Sequence, residues 1–453
     1  GAEAMRRKIY DKLTEWKKNN GESALLIKGA RRVGKSYIVE QFAKAEYKSY
    51  ILIDFNQASN EVKDLFEHFL TDLDTFFLYL SSIYNVKLYP RQTLIILDEV
   101  QLFPRARSAI KYLVADGRYD YIETGSLISI KKNVKDILIP SEEDHLEMYP
   151  LDFEEFLWAL GNETLMNVIR DCFEKKRPLG QALHRKAMNY LRQYIIVGGM
   201  PQAVDTFIKT NNFDKVDKAK RRILNLYRDD IRKHADNYAL DVEAIFEEIP
   251  SQLKNQHQHF KLSSIKQGAR FNEYKDAIFW LSDAMIANNC YNATEPNIGL
   301  RLNLDKRLLK CYMADTGLLI SHAFDENNLV SEEIYKKLLF DKLEVNRGMI
   351  VENTVAQMLV ASGHKLYFYA NASRDDVASR MEIDFLIAKS KISNRHNISP
   401  IEVKSSKNYT LSSIRKFINK YTEQLHTPYV LHTSDLKEED GIVYLPLYMT
   451  PLL

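Results

Sequence analysis

The sequence predicts a multidomain α/β chain, and three observations carry that reading. Its 453 residues exceed what one core ordinarily serves, at about 100 to 200 residues per domain. Short apolar runs alternate with helix-period stretches toward both ends, the order of units that build mostly parallel sheets. Between them, residues 151 to about 234 are mainly helical in period. The expected layout is an α/β/α three-layer domain at 5–150, a helical lid at 151–240, a winged-helix-like segment at 241–330 and a second α/β domain at 335–453.

The elements justify that layout in order. An N-terminal amphipathic helix precedes an apolar run at 24–28, and a helix follows from Lys35 to about Lys44. Tyr50–Asp54 reads as a second strand. Val62, Leu65, Phe66, Phe69, Leu70, Leu73, Phe76, Phe77 and Leu80 then recur at three- and four-residue steps, predicting one long amphipathic helix. Strands follow at Leu94–Leu97 and Asp120–Glu123. After Pro150, Asp152 and Glu155 form a capping box ahead of Phe153 and Phe156, and Gly198-Gly199-Met200-Pro201 must break a helix. Short helices around Ile245, Ile265 and Ile278, then apolar runs at Ala284–Cys290 and Leu308–Met313, give the order of a winged helix. The last domain reads as a helix at Ile350–Ala361, strands at Leu366–Tyr369, Met381–Ile387 and Pro400–Val403, a helix at Leu411–Tyr421, and strands at Tyr429–His432 and Ile442–Leu445.

Composition excludes several classes. Lys and Arg number 63 against 61 Asp and Glu, so any basic surface must be local. Apolar residues at 45% and charged residues at 27% exclude a largely disordered chain. Cys172, Cys290 and Cys311 lie far apart, which supports neither a disulfide framework nor a zinc site. No apolar run approaches the roughly 20 residues of a membrane span. A cytoplasmic protein without membrane contact is expected, with Gly1–Ala4, ahead of Met5, outside the fold.

Gly29-Ala30-Arg31-Arg32-Val33-Gly34-Lys35-Ser36 matches GxxxxGK[ST] between a predicted strand and a predicted helix. Glycines let such a loop curl its N–H groups around phosphates. The helix N-terminus adds its dipole, Lys35 reaches the outer phosphates, Ser36 ligates Mg²⁺, and Tyr37 extends the candidate nucleotide site. Leu94-Ile95-Ile96-Leu97-Asp98-Glu99 is a buried strand ending in two carboxylates. Asp98 is expected to hold Mg²⁺ and Glu99 to polarise the attacking water, which favours ATP hydrolysis over phosphotransfer. Thr124 at the next strand tip either senses the γ-phosphate or belongs to an ordinary turn. Arg105, Arg107 and Arg118 are candidate cations for that phosphate, and Arg7 and Tyr10 are conceivable adenine contacts by position.

Together with Pro104-Arg105-Ala106-Arg107, Ile110-Lys111, YIETGS and Tyr149–Phe156, these motifs resemble a family of uncharacterised bacterial and archaeal AAA-type ATPases, similar to the archaeal ATPase group. Members carry a C-terminal domain of unknown function. The likeness extends over nearly the whole chain, through Gly198–Pro201, Asp315-Thr316-Gly317-Leu318 and Glu352-Asn353. It implies ATP binding and hydrolysis.

A second candidate site lies near the C-terminus. Glu352 sits on a helix, Asp384 on a strand, and Glu402 and Lys404, two apart on the next strand, share one face. Asp384 and Glu402 could supply hard oxygen ligands for Mg²⁺, and Lys404 could activate a water for phosphodiester cleavage. The pattern looks like the restriction-endonuclease-like nuclease core, though it also describes a half-exposed strand. Residues 391–420 carry Lys391, Arg395, Lys404, Lys407, Arg415, Lys416 and Lys420 against the single acid Glu402, a charge able to attract DNA or RNA, or simply a solvated face. Lys261, Lys266, Arg270 and Lys275 add to the winged-helix-like segment, which fits nucleic acid or a protein partner equally. Two functions follow: ATP hydrolysis coupled to nucleic-acid binding or processing, or a nucleotide-dependent switch that docks a protein partner without cutting. The oligomeric state stays open.

Overall fold

The computed structural model describes residues 5–254, 271–297, 299–302, 304–324, 337, 347–371, 380–389 and 397–453. The chain divides into two compact units, one reaching Tyr149 and including residues 283–285, the other formed by the rest from Pro150 onward.

The first unit holds α1 (Ile9–Lys17), β1 (Ala24–Gly29), α2 (Lys35–Glu46), β2 (Ser49–Asp54), α3 (Asn60–His68), α4 (Leu73–Tyr84), β3 (Thr93–Asp98), α5 (Pro104–Asp116), β4 (Asp120–Gly125), the short α6 (Lys131–Val134) and β5 (Glu143–Met148). Five parallel strands lie in the order β2-β3-β4-β1-β5. Alternation along each strand divides the core. Leu25, Ile27, Leu94 and Ile96 face α1 and α2 residues such as Leu13 and Phe42. Leu26, Ile95 and Leu97 face Leu65, Phe66, Phe76, Phe77 and Ile110 of α3, α4 and α5. These are the three layers expected from the sequence.

Two details differ from expectation. The apolar stripe from Val62 to Leu80 is two helices, because Asp72 caps a new one: its carboxylate accepts from the Thr75 N–H at 3.2 Å and from the Thr75 hydroxyl at 2.6 Å. Strand β5, rich in Glu143, Asp144, His145 and Glu147, has no apolar run to announce it, yet pairs with β1 along its whole length.

The second unit opens with helices α7 (Phe153–Ala159), α8 (Leu165–Lys175), α9 (Gln181–Val197), α10 (Pro201–Thr210), α11 (Phe213–His234), α12 (Ala239–Lys254) and α13 (Phe271–Asp283). The Asp152–Glu155 capping box forms, and α9 stops at Val197 before Pro201 starts α10. Next come β6 (Ala287–Ala293), β7 (Leu304–Met313), α14 (Thr316–Ala323), α15 (Arg347–Ala361), β8 (Leu366–Asn371), β9 (Met381–Ala388), β10 (Ile398–Val403), α16 (Ser412–Tyr421), β11 (Tyr429–His432), β12 (Lys437–Glu439) and β13 (Ile442–Pro446). One mixed eight-stranded sheet runs β12-β13-β11-β10-β9-β8-β6-β7.

Of the expected winged helix, the helix around Ile265 lies outside the described residues, while its two apolar runs form a hairpin. The β6–β7 hairpin is no free wing, because β6 pairs in parallel with β8 and adds both strands to the C-terminal sheet. The expected break at 330–335 therefore does not divide the sheet, and the segment expected to form a lid groups with this unit. Lys261, Lys266, Arg270, Lys391 and Arg395 lie outside the described residues.

The glycine turn explains how the pieces meet. Asp315 accepts from the Gly199 N–H at 2.7 Å and the Leu318 N–H at 3.0 Å. Gln357 of α15 accepts from the Thr316 N–H and hydroxyl at 2.8 and 2.9 Å, and Asn353 accepts from the Met313 N–H at 2.9 Å. A Cβ at Gly317 would stand 2.6 Å from the Val197 carbonyl oxygen, so only glycine fits this crossing.

Candidate functional site

The loop between β1 and α2 is built as the motif requires. Gly34 is left-handed at φ 105°, and Arg32 also takes a positive φ of 73°. A Cβ at Gly29 would lie 2.7 Å from the Met148 carbonyl oxygen, so the loop approaches β5 too closely for any side chain. Ala30 and Val33 are buried, Arg31 is half-buried, and Arg32 and Tyr37 face solvent; the Tyr37 hydroxyl accepts from Gln41 at 2.7 Å. Arg7 lies under the loop, its guanidinium donating to the carbonyls of Val33 at 3.0 Å and Tyr149 at 2.5 Å. Tyr10 packs edge-on against Phe42. Both therefore act first on the frame around the loop.

Lys35 is buried, and its ammonium donates to the carbonyls of Gly29 and Ala30 at 2.8 and 2.9 Å. Burial lowers its pKa, while the carboxylates of Glu99 and Asp98 work to restore the charge. Asp98, at the buried end of β3, accepts from the Ser36 hydroxyl at 2.6 Å and the Thr124 hydroxyl at 2.5 Å on the same Oδ1. Burial raises the Asp98 pKa, and those two donors oppose the rise. Ser36 and Asp98 thus converge as a hydroxyl and a carboxylate, the hard oxygen set that suits Mg²⁺.

Glu99 turns away from Asp98 because its backbone is left-handed, at φ 55°. Its N–H donates to the Thr124 hydroxyl at 3.2 Å, and its Oε2 accepts from the Gln101 amide at 2.7 Å. Gln101 closes the run Leu94–Gln101 that contributes to the family resemblance, but the sequence assigns it no role; a polar residue two positions after the acid pair is the signal that could find it. A Cβ at Gly125 would meet the Gln101 Oε1 at 2.4 Å, so Gly125 makes room for that amide.

Two of the three candidate arginines are already engaged. Arg107 is buried and pairs bidentately with Glu143 of β5, at 2.8 and 3.2 Å. Arg118 binds Asp116 and Asp74 and lies 4.8 Å over the Phe77 ring. Both guanidiniums are thus paired with carboxylates of the same unit. Arg105 is half-exposed, 3.7 Å from Glu67.

The second candidate set also comes together, on one face of the C-terminal sheet under α15. Asp384 and Glu402 stand opposite across β9 and β10. The Asp384 N–H donates to Glu402 Oε1 at 3.2 Å, and the Val403 N–H donates to Asp384 Oδ2 at 2.8 Å. Lys404 pairs with Glu402 at 3.3 Å. Glu352 is buried, and burial pushes its carboxyl up to about 8, with Lys310 opposing and Asp384 and Glu382 adding to the rise. The structure adds Lys310 of β7, which no motif marks: it is wholly buried, 3.6 Å from Glu352 and 3.2 Å from Glu382. A protein ammonium thus stands against Glu352 and Glu382, on the cluster that also holds the expected Mg²⁺ ligands Asp384 and Glu402. Among the described residues no group of three or more His, Cys, Asp or Glu side chains is arranged to hold a metal ion. No described helix is long and apolar enough to cross a membrane.

Residues 21–157 match the AAA domain family. Residues 188–328 and 347–449 match two families described as domains of unknown function, DUF8612 and DUF4143. The first of these spans the boundary expected at 240. No curated protein sequence matches the chain. Among solved structures, the Walker-type ATPase PABY2304 of Pyrococcus abyssi is 13% identical, with 70% of this chain and 96% of that chain covered at a TM-score of 0.39. The Aeropyrum pernix ORC1 protein in complex with DNA is 10% identical, covering 72% and 94% at 0.28. Drosophila ORC bound to DNA is 13% identical, covering 71% and 95% at 0.29. Likenesses this slight assign nothing by themselves. The motif geometry and the family match agree on an AAA domain with a P-loop at 21–157, followed by segments that match domains of unknown function at 188–328 and 347–449.

Proposed function

We propose that the chain binds ATP with Mg²⁺, hydrolyses it, and couples turnover to nucleic-acid binding by the second unit. The observation that carries the ATP reading is the convergence of Lys35, Ser36, Thr124 and the Asp98–Glu99 pair at one end of β1, β3 and β4. Lys35 would bind the outer phosphates, Ser36 and Asp98 would hold Mg²⁺, and Glu99 would take the proton of the attacking water. The metal supplies charge neutralisation at the phosphates. Thr124 would have to give up its bond to Asp98 to reach a phosphate, which suits a sensor.

Lys35→Ala should abolish binding of a fluorescent ATP analogue. Glu99→Gln should retain binding while turnover falls by about 100-fold or more, the scale of removing a general base. Undiminished turnover in Glu99→Gln would remove its assigned role.

The nucleic-acid reading rests on Lys407, Arg415, Lys416 and Lys420, which are exposed on and just before α16. A double substitution, Arg415→Glu with Lys416→Glu, should weaken DNA or RNA binding. It should also flatten the salt dependence of that binding, by a slope of about 0.9 for each phosphate the variant no longer neutralises. Equal binding by the variant, or a pulled-down protein partner with no nucleic-acid affinity, would favour the protein-docking switch.

A further inference from the structure

The carboxylate cluster of the second unit contains more chemistry than Glu352, Asp384, Glu402 and Lys404 alone. Glu382 and Asp384 alternate on β9 and so share a face, Glu402 joins them from β10, and Glu352 descends from α15. An isolated group of buried carboxylates would demand a cation, and Mg²⁺ or Mn²⁺ would be the ordinary answer. Here the chain supplies one. Lys310 sits on β7, two strands beyond β8 in the sheet order, and its side chain reaches back until the ammonium lies 3.2 Å from Glu382 and 3.6 Å from Glu352.

Two features suit an ammonium rather than a divalent metal. The Lys310 nitrogen lies 4.6 Å from the centroid of the Phe368 ring, and an aromatic face attracts an organic cation but offers a hard metal no oxygen. The remaining carboxylates are also committed to the chain. Glu402 accepts from the Asp384 N–H and pairs with Lys404, while Asp384 accepts from the Val403 N–H.

We propose that Lys310 is the resident cation of this cluster, standing where a divalent metal would have to bind, so that the C-terminal sheet carries no metal-dependent nuclease centre. The inference deepens the nucleic-acid reading, on which it rests only for the choice of substrate: the sheet holds the polymer and does not cut it. It also explains why β6 and β7 join this sheet rather than standing apart, since without β7 the cluster would lack its counter-charge.

The test uses the full-length, nucleotide-free protein and Mn²⁺ as the probe, followed by calorimetric titration and electron paramagnetic resonance. Wild type is compared with a double variant, Asp384→Asn with Glu402→Gln, whose P-loop residues are intact, so any difference reports the cluster alone. Equal Mn²⁺ uptake by the two proteins is expected, together with no Mg²⁺- or Mn²⁺-dependent cleavage of a panel of linear, single-stranded and branched DNA and RNA. One additional Mn²⁺ in wild type, or cleavage that disappears in Lys404→Ala, would overturn the proposal. Lys310→Met, which keeps the volume but removes the charge, should gain one Mn²⁺ site that Asp384→Asn abolishes. A folded Lys310→Met protein with no new site would also overturn it, and if that variant does not fold the wild-type comparison decides alone. Failure of nucleic-acid binding with unchanged Mn²⁺ uptake would sink the nucleic-acid reading and leave Lys310 in its role.

Discussion

Single side chains carry the proposed chemistry. Gln101 is the clearest addition: its amide donates to Glu99 Oε2 and its other end lies against Gly125, directly after Thr124. On the proposed mechanism it would hold Glu99 in place. In Gln101→Ala, kcat should fall by about tenfold with the nucleotide Kd unchanged, and Gln101→Asn should recover only part of that activity. A shift in Kd alone would show a general loop defect. Lys220 gives a second residue-scale prediction. Its wholly buried ammonium donates to the Ile196 carbonyl at 2.7 Å, and burial lowers its pKa to about 7 from 10.5, with Asp217 and Asp315 opposing. Between those values the unfolded chain holds a proton that the folded chain does not, so stability should rise from pH 7 toward 10.5. Thermal unfolding of wild type and Lys220→Met across that range checks this, because the difference between their slopes isolates the lysine.

Secondary-structure elements show where sequence reasoning succeeds and stops. Strands β1, β3 and β11 are legible because each is an apolar run with a turn signal, and α15 and α16 because their period is helical. Lys35 and Ser36 are legible because one strand-loop-helix geometry sets their spacing, and Asp98 and Glu99 because they end an apolar strand. Strand β5 is not, since exposed Asp144, His145 and Glu147 leave it no apolar run and the buried side chain of its Glu143 is explained by Arg107, 36 residues earlier. The α3–α4 break hides inside an unbroken apolar stripe, where a single cap decides. Asp72→Ala should lower the midpoint of chemical denaturation, and an unchanged midpoint would show that the cap does not hold the break. Lys310 is illegible for a different reason: a lone lysine on a strand has no local signature, and its partners come from α15 and β9, far away in sequence. Gly317→Ala should cost about 1 to 3 kcal/mol, because the added methyl meets the Val197 carbonyl at a crossing that cannot open.

Across the whole molecule, the two units have cores of their own. Ile96 and Leu97 belong to the first, while Ile383, Phe417 and Val430 belong to the second. Ligand and mutation should therefore separate in calorimetry. Saturating Mg²⁺–ATP should raise the transition of the P-loop unit, by about 2.7 kcal/mol at a hundredfold excess over Kd. Lys310→Met should lower the other transition by about 3 to 5 kcal/mol, the scale of breaking a buried charge pair by removing one partner. One transition responding equally to both would contradict this separation. The polar character that conceals β5 has its own consequence for assembly. An outermost strand with bare main-chain groups invites another chain to add a strand beside it, and crowded charges discourage that. Asp144 and His145 on β5 are solvent-exposed. Copies of this chain that associate through the P-loop unit should therefore meet by helices and loops, leaving its five-stranded sheet unextended.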